Sequence, residues 1–548
     1  MHAPRRRLGF WLVILMAQSA PAQFTRVDSL RGYLFPERSC YDVIYYDMDI
    51  AIDPSRKSLH GSVGMTYRVV EEFNRMQIDL YDNWEVHSIT QDNRQLSFTR
   101  EGNALFVEFD EYFVPGNVKT ITTTYSGQPR EAQNAPWDGG FVWSQDEYGS
   151  PWIGVACEGE GASLWWPCKD HLSDEPDSVQ IRVTVPNGLM AVCNGRLRKT
   201  ELDDLHSSYT WFVGNPINTY NVTVNIAGYV HFSDTFSGVN GALSLDYFVL
   251  RRNLIKAQKQ FEQVKPMLEC FEKYFGPYPF YEDGYKLIET PYLGMEHQSA
   301  IAYGNRYQAG YQGMDLSGTG FDYIIIHESG HEWFGNSISA ADLAELWIHE
   351  SFTTYAEAIY IECLYGYWEA RKYLRAQRSN ISNKRPIVGP RGVACNSLEE
   401  TDMYYKGAWM LHSLRGTVNN DTLWFDVLLD FCQTFYHRIT NTEEVIRFFC
   451  DRSGMNLEPI FRHYLYSPKQ PVFEYKLKKK RGEVEVSYRW ADVAHDFNMP
   501  VEVGYSYSSV QLHRLYPTTT WQSFTMPSSD IEGIMVDAGK FYVKQKKL

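Results

Sequence analysis

Beyond its first 22 residues the 548-residue sequence contains no apolar run long enough to cross a bilayer as a helix. It also lacks a surplus of basic residues, since its formal net charge is −15. Nucleic acids and anionic membranes attract basic protein surfaces, so neither is an expected partner of such an acidic chain. We therefore expect no nucleic-acid binding and no membrane anchor.

The nine cysteines include no Cys-x-x-Cys pair and no dense cluster. This spacing argues against a zinc site made of cysteines. In an oxidising compartment one or two disulfides could form, but sequence alone does not pair them. The default for most of these cysteines is a buried thiol that packs as a small apolar side chain.

The first 22 residues have the pattern of a secretory signal peptide. Residues 5–7 are all arginine, residues 8–17 form a short apolar run, and residues 20–22 read Ala-Pro-Ala. A basic start, a short apolar core and small residues at a cleavage site are typical of such signals. We predict that residues 1–22 are removed, that the mature chain begins at Gln23, and that the protein is exported to the periplasm or the extracellular space.

The period of the apolar residues changes twice along the chain. Up to about residue 250 they alternate with polar residues, which is typical of antiparallel strands with one buried face. They then recur at helical spacing, and after Ser467-Pro468 the alternation returns with a predicted hairpin over 473–488. The sequence predicts a multidomain α+β protein, with a β domain over 23–250, a mainly α domain over 251–467 and a small β domain over 468–548.

The segment that indicates chemistry reads His-Glu-Ser-Gly-His from His327 to His331, and Glu350 follows it. Residues four apart on a helix share one face, so His327 and His331 can bind the same metal ion. Glu350, on a second predicted helix, can supply a third ligand. Two imidazoles and one carboxylate, with a fourth position left to water, form the ligand set of a hydrolytic zinc site. Glu328, next to the first histidine, is the predicted general base.

The alternative interpretation of this motif is a chance match with two surface histidines. The preceding residues 323–326 are apolar, which predicts a buried helix within 321–336. Unpaired charge inside a protein is costly, so two histidines and two glutamates on a buried face favour a metal site.

Residues 327–336 resemble the zinc motif of the aminopeptidase N family of gluzincin metallopeptidases, His-Glu-x-x-His-x-Trp-Phe-Gly-Asn. Residues 346–352 read Leu-Trp-Ile-His-Glu-Ser-Phe and resemble the family's Leu-Trp-Leu-Asn-Glu-Gly-Phe block. The resemblance, which extends over about 40–548, implies one zinc ion bound by His327, His331 and Glu350. It also implies an N-terminal β-saddle domain, a thermolysin-like catalytic domain and a C-terminal β-sandwich.

Three further matches imply how a substrate is bound. Residues 293–297 resemble the family's Gly-x-Met-Glu-Asn motif, so Glu296 would bind the α-ammonium group of a peptide. The backbone of Gly294 and Met295 would bind the peptide chain. Glu158 corresponds to the last residue of the family's Gln-x-Glu motif and would be a second amine ligand.

Residues 404–407, Tyr-Tyr-Lys-Gly, resemble the family's Tyr-Glu-Lys-Gly, whose first tyrosine stabilises the oxyanion. Tyr404 is the candidate for this role, and Tyr405 is the alternative if the alignment shifts by one residue.

The sequence also departs from the family pattern. His297 stands in place of Asn, Ala156 in place of Gln, and Asp342-Leu343 in place of a tryptophan pair. We hypothesise that His297 titrates near the substrate amine and weakens binding when protonated. The sequence stops at Leu548, where larger family members continue into a helical domain that covers the active site. A more open cleft than in those members is therefore expected, unless a second subunit covers it.

The predicted function is a zinc aminopeptidase that acts on peptides with a free N-terminus. The α-amine is largely cationic at neutral pH, and two carboxylates near zinc would bring only the first peptide bond to the metal. A zinc endopeptidase with the same metal site is one alternative. A non-catalytic scaffold is disfavoured, because the ligands, the base and a tyrosine are all present.

Overall fold

The structure is a computed structural model that describes residues 24–393, 401–505 and 511–548. The predicted signal peptide over residues 1–22 and the predicted mature start at Gln23 lie outside the described residues. Within the described ranges, no helix is long and apolar enough to cross a membrane.

The N-terminal region consists mainly of strands, in which buried and exposed residues alternate as predicted. Its helices are α1 (Arg26–Gly32) and α2 (Pro36–Ser39). Its strands are β1 (Tyr41–Asp53), β2 (Ser58–Val69), β3 (Phe73–Asp79), β4 (Glu85–Gln91), β5 (Arg94–Gln95), β6 (Ser97–Glu101), β7 (Ala104–Phe113), β8 (Val118–Gly127), β9 (Gly140–Gln145), β10 (Pro151–Ala156), β11 (Ser178–Pro186), β12 (Met190–Cys193), β13 (Arg196–Leu202), β14 (His206–Val213), β15 (Val224–Ala227), β16 (Tyr229–Gly238) and β17 (Gly241–Leu250). The largest sheet has the order β13-β14-β11-β1-β2-β8-β4-β5, and smaller sheets have the orders β12-β15-β10-β9 and β3-β7-β6.

The middle region is mainly helical. Its helices are α3 (Leu254–Gln260), α4 (Val264–Phe275), α5 (Tyr323–Gly330), α6 (Trp347–Tyr365), α7 (Tyr367–Gln377), α8 (Asp402–Val418), α9 (Asp421–Thr434), α10 (Thr442–Ser453) and α11 (Glu458–Tyr466). Its strands are β18 (Tyr285–Glu289), β19 (Gly294–Met295), β20 (Ile301–Tyr303), β21 (Ile338–Ala340) and β22 (Arg438–Thr440). Helix α5 is shorter than the predicted helix, because the chain turns after Gly330.

One sheet joins the first two regions. Its order is β16-β17-β18-β20-β19, so strands before and after residue 250 pair with each other. Strand β17 pairs with β18 in parallel, with Tyr247 opposite Leu287. The predicted boundary at residue 250 therefore passes through a continuous sheet, and the domain division remains a prediction.

The C-terminal region returns to strands. They are β23 (Val472–Lys480), β24 (Glu483–Ala491), β25 (Val501–Gly504), β26 (His513–Leu515), β27 (Gln522–Pro527), β28 (Met535–Val536) and β29 (Lys544–Lys547). Two sheets form, with the orders β27-β24-β23-β29 and β26-β25-β28. The predicted hairpin is β23 and β24, in which Tyr475 lies opposite Tyr488. With these regions the predicted multidomain α+β class is confirmed.

Helix α6 lies at the centre of the helical region, and all of its residues from Trp347 to Ile361 are buried. Helix α8 packs closely against it at Gly407, where a Cβ atom would overlap the Ser351 side chain. A glycine is needed for this close approach, which brings the start of α8 to the metal site. The eight cysteines of the described ranges are free thiols, and Cys395 lies outside them.

Candidate metal centre and substrate cavity

Helix α5 carries the first two candidate ligands. Its N-cap residue is Asp322, whose Oδ1 accepts hydrogen bonds from the backbone N–H groups of Ile324 (3.1 Å) and Ile325 (3.5 Å). The helix ends at Gly330, and His331 is its C-cap residue. The N–H of His331 still donates to the carbonyl oxygen of His327 at 3.3 Å, so the two histidines stay one turn apart on the same face.

The three predicted ligands converge. The Nε2 atoms of His327 and His331 lie 3.3 Å apart, and Oε2 of Glu350, in the first turn of α6, lies 3.5 Å and 3.6 Å from them. Donor atoms at tetrahedral positions about 2.0–2.1 Å from a zinc ion lie about 3.3 Å from one another. Oε2 of Glu350 is buried and has no hydrogen-bond partner among the described residues, so a cation would offset its cost of burial. The donor set thus fits one zinc ion.

Outer contacts orient both imidazoles. Nδ1 of His327 lies 2.7 Å from Oε1 of Glu357, a fully buried residue on α6, and Nδ1 of His331 lies 2.9 Å from the carbonyl oxygen of Phe334. Because each Nδ1 faces an acceptor, it carries the proton and leaves the Nε2 lone pair for a metal. Glu357 also accepts hydrogen bonds from the side chains of Tyr373 and Gln377.

Glu328 faces the edge strand β19. A Cβ atom at Gly294 would lie 2.6 Å from Oε1 of Glu328, so glycine at this position allows the strand to approach the carboxylate. Burial raises the pKa of Glu328 to about 8. Burial also works against the charged form of Glu350, but the neighbouring His331 and His327 hold its pKa below the usual value.

Glu296 and Glu158 lie in the same cavity as the metal ligands. Oε1 of Glu296 accepts a hydrogen bond from the Tyr220 hydroxyl at 3.0 Å, and Asn336 Nδ2 donates to the Glu296 carbonyl at 2.8 Å. Oε1 of Glu158 is buried without a partner in the described part of the chain. Burial raises the pKa of Glu158 well above its usual value, and the nearby charge of Glu296 raises it further.

Tyr404 and Tyr405, at the start of α8, both line this cavity. The Tyr404 ring stacks on the ring of His327, with 6.2 Å between centroids and 27° between planes. Burial raises the pKa of the Tyr404 phenol well above its usual value, so its hydroxyl keeps its proton and can donate a hydrogen bond.

The cavity has a volume of about 180 Å³ and is strongly acidic. Its wall carries the carboxylates of Glu158, Glu296, Glu328 and Glu350, and none of the described residues that line it is a lysine or an arginine. Buried carboxylates without cations are costly, so this cavity is suited to receive positive charge from outside the chain. A divalent metal and an ammonium group are two such sources.

Comparison with known proteins finds a matching family model and several similar proteins. Residues 259–464 match the peptidase family M1 domain. The chain is 22% identical over 511 residues to aminopeptidase M1-A of Oryza sativa subsp. japonica, covering 86% of this chain and 54% of the rice protein. It is 20% identical over 499 residues to leukotriene A-4 hydrolase of Xenopus laevis, covering 84% of this chain and 77% of that protein.

A solved structure shares the fold. It is an M1 zinc metallopeptidase mutant from Deinococcus radiodurans bound to a Tyr-Ser-Ala substrate, with a TM-score of 0.67 and 20% identity over 80% of this chain and 98% of that chain. Residues 259–464 of this chain therefore form a peptidase family M1 domain. The relatives support a zinc cofactor, for which His327, His331 and Glu350 are the candidate ligands. This M1 protein spans about half the length of the rice relative.

Each predicted site residue of the M1 protein is found at one cavity. The wall contains all the residues named as ligands, base, oxyanion donor and substrate-binding groups: His327, Glu328, His331, Glu350, Tyr404, Glu296, Glu158, Gly294 and Met295. Tyr405 also lies in the wall of this cavity, so position in the wall does not decide which of Tyr404 and Tyr405 is the oxyanion donor. The hypothesis about His297 needs correction: this side chain is fully buried, and burial lowers its pKa to about 3, so it stays neutral near pH 7.

Sequence reasoning missed the residues that support the site from a distance. Glu357 lies seven residues after Glu350, which places both on one face of α6, and this spacing could have identified it. Tyr220 and Asn336 bond to Glu296 from distant parts of the chain. Asn221 is also buried, and its Nδ2 donates a hydrogen bond to Oδ1 of Asn336 at 2.8 Å.

Proposed function

We propose that this M1 protein is a zinc aminopeptidase that hydrolyses the first peptide bond of peptides with a free N-terminus. The observation that carries the proposal is the position of two carboxylates beside the candidate zinc ligands, that of the buried Glu296 and that of Glu158, whose Oε1 is buried. No lysine or arginine of the described cavity wall neutralises them. An α-ammonium group supplies the missing positive charge. Its capture there would fix the first peptide bond near the metal.

Zinc, when bound, would polarise the scissile carbonyl and promote ionisation of a water molecule. Glu328 accepts the proton of the attacking water and delivers it to the leaving amine, with His327 and His331 held in position by Glu357 and the Phe334 carbonyl. Tyr404 donates a hydrogen bond to the carbonyl oxygen as negative charge develops on it. The free edge of β19 offers backbone groups of Gly294 and Met295 to the peptide chain.

The relatives support this choice over a zinc endopeptidase. The rice relative is named an aminopeptidase, and the Deinococcus structure holds a tripeptide substrate. An endopeptidase would have to place an uncharged peptide segment between Glu296 and Glu158, which would leave two carboxylates unpaired.

Substitution of the amine-binding carboxylates tests the proposal. Glu296→Gln and Glu158→Gln are each expected to lower kcat/KM on aminoacyl coumarin amides by about 10-fold or more, since each removes a charged hydrogen bond to the ammonium group. Glu160→Gln is the control, because Glu160 pairs with Arg130 outside the cavity. Wild-type rates in both cavity variants would contradict the assignment.

We also propose that the protein is exported, on the basis of the signal-like pattern of residues 1–22. N-terminal sequencing of the protein secreted or fractionated from its native cells is expected to begin at Gln23. An N-terminus at Met1 in a cytosolic fraction would contradict export.

A further inference from the structure

A second, larger cavity adjoins the metal-site cavity. The two share Trp137 and Leu293 in their walls, and the second has a volume of about 1090 Å³. Its floor includes residues 289–293, the segment that leads directly into β19. The second cavity is therefore a continuation of the first along the same stretch of chain.

The direction of a bound peptide follows from this arrangement. Strand β19 is the edge of its sheet and pairs with β20 on one side, so its other edge is open. A peptide whose ammonium group lies at Glu296 and whose backbone follows β19 passes Met295, Gly294 and then Leu293. The residues after the scissile bond therefore enter the second cavity.

The second cavity is basic, in contrast to a chain with a net charge of −15. Its wall carries Arg252, Lys256 and Arg306, and its carboxylate is Glu289. The Glu289 oxygens accept hydrogen bonds from the Leu250 N–H (2.7 Å) and from Asn253 Nδ2 (2.5 Å).

Two of the three cations are available to a ligand. Arg252 pairs with Glu147 at 3.2 Å. Lys256 and Arg306 are exposed, and neither forms an ion pair with any residue in the described ranges. These two side chains are the ones that could neutralise an anionic group of a bound peptide.

The loop that presents Arg306 is hydrogen-bonded to the helix of the candidate metal site. Arg306 and Tyr307 have left-handed backbone angles, with φ of 55° and 61°. The preceding residue, Asn305, is 1% exposed, and its Nδ2 donates to the Gln308 carbonyl (2.9 Å) and to Oδ1 of Asp322 (2.7 Å). Asp322 is the N-cap of the helix that carries His327, so the loop before Arg306 and this candidate ligand are joined to the same residue.

We propose that this second cavity binds the part of the peptide that follows the scissile bond, and that Lys256 and Arg306 select peptides with a carboxylate there. The carboxylate belongs either to the C-terminus of a short peptide or to an aspartate or glutamate side chain. The proposal rests on the proposed aminopeptidase function and adds a substrate class to it. Partly exposed pairs of this kind contribute modestly each, so about a fivefold effect is expected.

The test compares matched substrates and variants. The wild type, the double variant Lys256→Gln/Arg306→Gln and the control Lys259→Gln are assayed on three kinds of substrate with the same first residue. These are tripeptides with a free C-terminal carboxylate, the same tripeptides as amides, and amides with Asp or Glu at the second or third position. An aminoacyl coumarin amide, which has no residue for the second cavity, monitors folding and the chemical step. Lys259 is exposed on the same helix as Lys256 but does not line the cavity.

The expected result is that wild type and Lys259→Gln prefer a carboxylate substrate over the neutral amide by about fivefold in kcat/KM. The double variant should lose this preference while cleaving the coumarin amide at the wild-type rate. If only the free tripeptides are preferred, the cavity binds the C-terminal carboxylate. If acidic amides are preferred equally, the cavity accepts a carboxylate from either source. No carboxylate preference in the wild type, or one that persists in the double variant, would overturn the proposal. Failure of the wild type to cleave even the coumarin amide would overturn the proposed function and this inference with it.

Discussion

At the scale of single residues, two neighbouring tyrosines differ in their relation to the metal ligands. Tyr404 stacks on His327, and its hydroxyl keeps its proton because burial raises the pKa. Tyr404→Phe is expected to lower kcat by about 100- to 1000-fold, as the loss of an oxyanion donor does. Zinc content should be unchanged, and Tyr405→Phe should retain most of the activity. The reverse pattern would assign the role to Tyr405.

His297 leads to a prediction about pH. Burial lowers its pKa to about 3, below the value near 6.5 in an unfolded chain. Its contribution to stability is present above pH 6.5 and is lost as the pH falls towards the folded pKa, because only the unfolded state then takes up the proton. The free energy of unfolding of the wild type should therefore fall by about 1.4 kcal/mol per pH unit below 6.5, relative to that of His297→Asn.

Urea unfolding of both proteins at pH 7.5 and 5.5 measures this difference. The pH dependence of kcat/KM between pH 6 and 9 should have the same shape in both proteins. A shift of an activity pKa in His297→Asn would mean that His297 does titrate near the substrate.

The zinc ligands and the base could be predicted from the sequence because a helix fixes the spacing of His327, Glu328 and His331. Supporting residues could not be predicted in this way. Tyr220 reaches Glu296 across 76 positions of sequence, and no local pattern encodes such a contact. The state of His297 depends on complete burial, which a single position in a motif does not reveal.

At the scale of elements, helix α6 supplies one candidate ligand and a residue that orients another. Glu350 is a candidate metal ligand, and Oε1 of Glu357, two turns later, lies 2.7 Å from Nδ1 of His327. Glu357→Gln is expected to weaken zinc affinity by about 10- to 100-fold, as the loss of such an outer partner does. Glu362→Gln, on the same helix but paired with Arg415, is the control. Equal zinc retention in all three proteins during titration with a chelator would contradict this role for Glu357.

The N-cap of helix α5 joins several elements. Asp322 caps the helix and also accepts hydrogen bonds from the side chains of Tyr303, Asn305 and Gln260, each at 2.7 Å. Asp322→Ala is expected to lower the free energy of unfolding by about 2–4 kcal/mol, because it removes a cap and leaves buried donors unpaired. Zinc affinity should fall as well.

Asn420→Ala is the matched control for Asp322. Asn420 caps α9 by accepting a single side-chain hydrogen bond from the Leu423 N–H. Its loss is expected to lower the free energy of unfolding by about 1 kcal/mol and to leave zinc affinity unchanged. Equal effects of the two substitutions in urea unfolding would contradict the special role of Asp322.

The existence of helices α5, α6 and α8 follows from apolar periodicity, but their lengths do not. The chain turns after Gly330, although the predicted helix lay within 321–336. The close packing of α8 on α6 depends on Gly407 meeting Ser351, a contact between distant segments that periodicity does not report.

At the scale of the whole molecule, the sheet that crosses residue 250 makes the catalytic region dependent on the strands before it. Strand β18 pairs with β17, and Glu289 accepts a hydrogen bond from the Leu250 N–H. A fragment of residues 251–548 is therefore expected not to fold into a zinc-binding unit. Circular dichroism and zinc analysis of the fragment test this, and a cooperative unfolding transition with bound zinc would contradict it.

The changes in the spacing of apolar residues predicted three regions. Such a prediction is possible because burial of one face of a strand or helix leaves a periodic pattern in the local sequence. The pairing of β17 with β18 leaves no such signal, because parallel strands need a long connection between them and so are not neighbours in sequence. The substrate cavity likewise forms where the strand region, β19, α5, α6 and α8 meet, and only the motif resemblance indicated that its residues would converge.

Capture of a free α-amine next to zinc by the acidic cavity is the property that defines the proposed aminopeptidase. Its most direct test is the cleavage of aminoacyl coumarin amides, free and N-acetylated, by the wild type and by Glu328→Gln, with and without a chelator. We expect hydrolysis of the free substrates alone. This activity should be lost on chelation, restored by zinc, and absent in a Glu328→Gln variant that retains zinc. Equal cleavage of the acetylated substrates, or full activity of Glu328→Gln, would contradict it.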